Sequence, residues 1–104
     1  MAAELPLPAD ELARRLNEAL GRVGGVRMRV VSAGMGGTSD EPAVRFRVSV
    51  AEAGMWDVAV PMDPLDLEPG VNTSALVAVL HANLLEWWDL KDREARIARW
   101  GRAV

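Results

Sequence analysis

The sequence predicts a two-layer α+β domain of order α-β-β-β-α, with a three-stranded antiparallel sheet, a short N-terminal helix and a long C-terminal helix. Leucines 12, 16 and 20 recur at helical spacing. The segments 26–32, 44–50 and 55–62 alternate apolar and polar residues with the period of a strand. Between Gly70 and Gly101 there is neither glycine nor proline, so the densest apolar run of the chain falls in what reads as one helix. An antiparallel sheet has one face to bury and each helix one apolar stripe. Helices on a single face satisfy both and leave the other face in water.

The first helix, over about residues 8–21, has Pro8 at its start and Asp10 and Glu11 near the positive end of its dipole. Leu12, Leu16, Ala19, Leu20 and Val23 form its buried stripe, while Arg14, Arg15, Glu18 and Arg22 face water. Gly21 and Gly24-Gly25 end it. In the first strand Val26, Met28 and Val30 point one way and Arg27, Arg29 and Val31 the other. Gly34 to Pro42 is rich in glycine and turn formers and is expected to be a long, flexible hairpin loop. In the second strand Val44, Phe46, Val48 and Val50 oppose Arg45, Arg47 and Ser49. A turn at Glu52-Ala53-Gly54 leads into the third, which Pro61 and Pro64 close.

Asn72, Thr73 and Ser74 supply cap residues for the second helix, whose buried face holds Leu76, Val77, Leu80, Leu84, Trp87 and Trp88. From Leu90 onward the apolar residues Leu90, Ile97 and Trp100 move to another side of the helix. A helix of about 28 residues is roughly 40 Å long, whereas a chain of this size has a radius of gyration of about 13 Å. Residues 91–104 are therefore expected to form a basic helical tail projecting from a single domain spanning 1–104. The alternative is a break near Lys91-Asp92 that lets Trp100 cap the core.

A chain of 104 residues, 50% hydrophobic, suits one domain with a small core. The absence of cysteine excludes disulfides, thiol nucleophiles and thiolate metal sites. The N-terminal residues lack the basic start and apolar core of a signal peptide, and no run reaches membrane-spanning length, so a cytoplasmic location without a membrane partner is expected. The net charge of −3 conceals a segregation: residues 55–90 carry six acids and no base, and residues 91–104 carry five bases against Asp92 and Glu94.

Two surfaces are candidates for function. Arg27, Arg29, Arg45 and Arg47 fall on the open side of the sheet, relieved mainly by Asp57, and suit a phosphate backbone or an acidic protein. Leu90, Ile97 and Trp100, with Arg96, Arg99 and Arg102, make the tail a candidate interface. Its complement is the acidic stretch of Asp63, Asp66 and Glu68 in a second chain. Gly34-Met35-Gly36-Gly37-Thr38-Ser39 lacks the lysine and following helix of a phosphate loop, and the acidic stretch lacks the spacing of a calcium loop. His81 is the only histidine and has no recognisable nucleophile partner.

The α-β-β-β-α order resembles that of double-stranded-RNA-binding domains and of small nucleoid-associated YbaB-type proteins, in topology alone. Asn72-Thr73-Ser74-Ala75 departs from the lysine-rich helix start of the former. Asp63-Pro64-Leu65 before an apolar helix is closer to the latter, whose first helix is usually longer. The expectation is a non-enzymatic assembly or adaptor protein without a cofactor, whose partner is itself or another protein subunit. Nucleic-acid binding through the arginine face is the alternative.

Overall fold

The computed structural model describes residues 4–22, 27–68 and 70–104. In order the elements are α1 (Ala9–Leu20), β1 (Met28–Gly37), β2 (Pro42–Val50), β3 (Gly54–Pro61), a 3₁₀ turn (Pro64–Leu67), α2 (Thr73–Leu90), α3 (Ala95–Ala98) and β4 (Gly101–Ala103). The sheet has four strands rather than three, antiparallel throughout in the order β1-β2-β3-β4. Its inner face presents Met28, Val30, Val44, Phe46, Val48, Val58 and Val60. α1 and α2 cover them with Leu12, Leu16, Leu20, Leu76, Leu80, Leu84 and Trp87.

The local signals at the helix starts hold. The Asn72 side chain accepts from the N–H groups of Ser74 and Ala75 at 3.0 and 3.2 Å, satisfying two donors that the first turn leaves free. Pro8 takes the position just before α1, and Gly21 ends it. Val23, Gly24, Gly25 and Val26, assigned above to the end of α1 and the start of β1, lie outside the described residues.

The expected loop over Gly34–Pro42 is mostly strand. β1 continues to Gly37, with Gly34 opposite Arg45, Gly36 opposite Ala43 and Gly37 opposite Pro42. A tight turn over Thr38–Glu41 follows, closed by Thr38 N–H to Glu41 O at 3.1 Å and Glu41 N–H to Thr38 Oγ1 at 3.0 Å. The glycines weaken the strand's own preference, but β2 supplies the whole ladder, and pairing with a strong neighbour overrides local propensity. Glycine is also what fits: a Cβ on Gly36 would collide with Cγ and Cδ of Arg45, whose stem lies across it. Between Val30 and Ser32 the register shifts by a bulge that leaves Val31 exposed. Ala33 and Met35 thereby regain the inner side.

Nor does the second helix run on as a projecting tail. It stops at Leu90, where the N–H groups of Arg93 and Glu94 both reach the Leu90 carbonyl, and the chain turns through α3 into β4. β4 pairs with β3 through Trp56–Ala103, Asp57–Arg102 and Val58–Gly101, and the flanking bonds Ala59 N–H to Trp100 O and Val104 N–H to Met55 O extend the ladder. Burial decides the matter: a straight helix would carry Ile97 into water, whereas the turned chain buries it completely. Trp56, Trp87 and Trp88 meet edge to face with centroids 5.6 to 5.9 Å apart, and Lys91 Nζ lies 5.2 Å from the Trp56 centroid and 4.6 Å from that of Trp88. That cluster pins the point of return. The molecule accordingly has a radius of gyration of 13.0 Å and extents of 38 × 28 × 19 Å.

Candidate functional site

Strand alternation leaves the second sheet face without a helix among the described residues, and the outward residues of its central and C-terminal strands include Arg45, Arg47, Asp57, Ala59 and Arg102. One row crosses three strands as Arg47, Asp57 and Arg102. Arg47 holds Asp57 with both arms of its guanidinium, Nε to Oδ1 at 2.9 Å and Nη2 to Oδ2 at 3.2 Å. Those hydrogen bonds are the chief reason the Asp57 carboxyl lies below its ordinary range; partial desolvation opposes the shift, and the charges of Arg47, Arg102 and Arg45 add to it. The same pair raises Arg47.

Arg45, Arg99 and Arg102 have no ion pair among the described residues. All three line a shallow concavity of about 300 Å³, together with Asp57, Ala59 and Trp100. Arg45 comes from β2, Arg99 from the end of α3 and Arg102 from β4. The strand arginines and the tail arginines, which look like two separate surfaces in the sequence, are thus one surface. Arg27 and Arg29 lie at the other end of the sheet beside Ser49 and Ala51, and they too are exposed and without an ion pair among the described residues. Met55, 37% exposed, and Val104, 69% exposed, add an apolar corner where their backbones bond.

The apolar residues expected at a tail interface are taken up by the chain's own core. Ile97 is wholly inside the chain's own core, and Leu90 and Trp100 are partly buried against it, because the chain turns back instead of projecting. Arg96 is exposed on α3. Asp63, Asp66 and Glu68 are exposed at the 3₁₀ turn, and the Asp63 side chain caps that turn by accepting from Leu65 N–H at 2.9 Å. None of the three pairs with the C-terminal arginines within the chain among the described residues.

His81 sits half-buried on α2, with Nε2 enclosed and lacking a hydrogen-bond partner. It lies on the helical layer, on the opposite side of the sheet from the arginines. No cluster of three or more acidic or histidine side chains placed to hold a metal occurs among the described residues, and no described helix is long and apolar enough to cross a membrane. Two residues escaped sequence reasoning: Gly36, which gives Arg45 its bed, and Lys91, which the helical pattern carries onto the buried face, where a lysine looks out of place until the tryptophans are seen to enclose it. The signal available for the first was a glycine in the strand paired with an arginine-bearing one.

The fold and site define an α+β domain with one covered and one open, arginine-rich sheet face. Comparison with protein-family models, with curated proteins and with solved structures finds no match.

Proposed function

We propose that this chain is a non-enzymatic assembly or adaptor protein of the cytoplasm, whose working surface is the open sheet face and whose partner presents an acidic protein surface. One observation carries this reading: Arg27, Arg29, Arg45, Arg47, Arg99 and Arg102 gather on or beside that face against Asp57. The chain's net charge is nevertheless −3. A positive face on an acidic molecule makes copies of the molecule complementary to one another. Arginine beside exposed Met55 and Val104, with the only lysine turned into the tryptophan cluster, also matches the composition of protein interfaces.

The contact we propose is heterologous, the arginine face of one copy against Asp63, Asp66 and Glu68 of the next, and it builds rings or filaments. Light scattering on a sizing column tests it. The expected result is a defined oligomer at low salt that dissociates at high salt and is absent in Arg27→Glu/Arg29→Glu. A monomer at every salt and protein concentration overturns the reading. Trp100 beside Arg45, Arg99 and Arg102 favours a second reading, a single-stranded polynucleotide, in which an aromatic ring and guanidinium groups serve one ligand. Absorbance at 260 nm recorded on the same column distinguishes the two.

A further inference from the structure

We infer that the concavity between Arg45, Arg99 and Arg102 is a binding site for a dianionic phosphoryl group, either inorganic phosphate or the phosphate monoester of a small molecule. The inference shares the open face with the assembly reading but needs no second protein, and it concerns one corner of that face only.

Three observations lead to it. The arginines come from three separate elements, β2, the end of α3 and β4, and all three line one hollow of about 300 Å³. Against these three arginines the wall holds one carboxylate among the described residues, Asp57, whose hydrogen bonds go to both arms of Arg47 and whose single charge Arg45 and Arg102 share. Like charges held together repel, and one shared carboxylate offsets only part of that repulsion, so the hollow carries net positive charge. Finally, Arg45 is positioned rather than free. Its stem lies across Gly36, in space that any Cβ would take.

The charge balance selects the ligand. A single carboxylate brings one negative charge and two oxygens, whereas a phosphate monoester near pH 7 brings about 1.5 to 2 charges and three terminal oxygens. Three arginines supply more charge and more donors than one carboxylate can use, and match the second better, through charge-assisted N–H to O bonds. A phosphodiester, with a single charge per phosphorus, meets the hollow less well.

The test is titration calorimetry of the whole chain with inorganic phosphate at constant ionic strength, with acetate as the comparison anion. Saturable one-site binding of phosphate, with acetate much weaker, is expected. Arg45→Ala/Arg102→Ala should weaken it by roughly ten- to a hundredfold. Asp57→Asn, which removes the negative wall and releases Arg47, should tighten it. Gly36→Ala keeps every charge and a permitted backbone but displaces the Arg45 stem; weaker binding there is a result that a diffuse positive field does not give. Circular dichroism confirms that each variant is folded.

The proposal is overturned by non-saturable binding, by equal affinity for acetate, or by affinity unchanged in both the double variant and Gly36→Ala. An unphosphorylated oligothymidylate bound more tightly than phosphate also overturns it, in favour of the polynucleotide. Arg27→Glu/Arg29→Glu lies outside the hollow. Loss of assembly in that variant with phosphate binding retained separates the failure of one reading from the failure of the other.

Discussion

Asn17 spans the gap between α1 and the edge strand. Its Nδ2 donates to the Val30 carbonyl at 3.0 Å and its Oδ1 accepts from the Val30 N–H at 2.7 Å. A side-chain amide thereby stands in for a neighbouring strand at the one point where the bulge disturbs the ladder, and it blunts an edge that would otherwise be free to pair. Asn17→Ala should cost about 1–3 kcal/mol, the range for leaving partly buried backbone groups unpaired. Urea unfolding measures it, as a lower midpoint with an unchanged slope. Glu11 accepts from both Arg14 and Arg15, at 2.6 and 3.0 Å, and those bonds bring its carboxyl from 4.5 down to about 2. A folded-state value below the unfolded one means the stabilisation is present above about pH 4.5 and is lost as the pH falls toward 2. Thermal melts from pH 6 to 2 should therefore show a shallower acid limb in Glu11→Gln. Since the group is exposed, the difference should shrink in added salt.

At the scale of the element, the C-terminal segment carries the largest revision. Were residues 91–104 a projecting tail, removing them would leave the fold intact. With Ile97 fully buried and β4 hydrogen-bonded along β3, their removal opens the core and exposes a sheet edge. Ile97→Ala should destabilise by about 2–5 kcal/mol, the range for an aliphatic side chain deleted from a packed interior. Truncation at Asp92 should lower the melting temperature further and change tryptophan fluorescence, because Trp87 and Trp56 lose their cover. A truncated chain as stable as the whole one would contradict this account. Gly101 explains why β4 can lie so close: a Cβ there would collide with the Trp87 ring. The helical stop at Leu90 likewise has no glycine or proline behind it. Packing of Lys91 between tryptophan rings and burial of Ile97 supply the reason.

For the whole molecule, the return of the tail changes the distribution of charge. Arg99 and Arg102 join Arg45 and Arg47 on one face, while the acids of the 3₁₀ turn stay exposed elsewhere. Salt-sensitive head-to-tail assembly and phosphate capture in one corner of the face are the consequences proposed for that arrangement, and each fails by its own measurement.

What the sequence alone determined was whatever depends on neighbours along the chain. The Asn72 cap, the buried stripe of α1, the alternation in β2 and β3 and the outward direction of Arg45 and Arg47 each rest on a few adjacent residues and a fixed period. The tertiary structure decided what depends on distant ones: that the glycine-rich residues 34–37 form strand, that α2 stops at Leu90, that a fourth strand exists, and that two sets of arginines meet. Strand pairing and core burial reward contacts far apart in the sequence, and their free energy exceeds the few tenths of a kcal/mol to about 1 by which glycine or a helical pattern biases a single position.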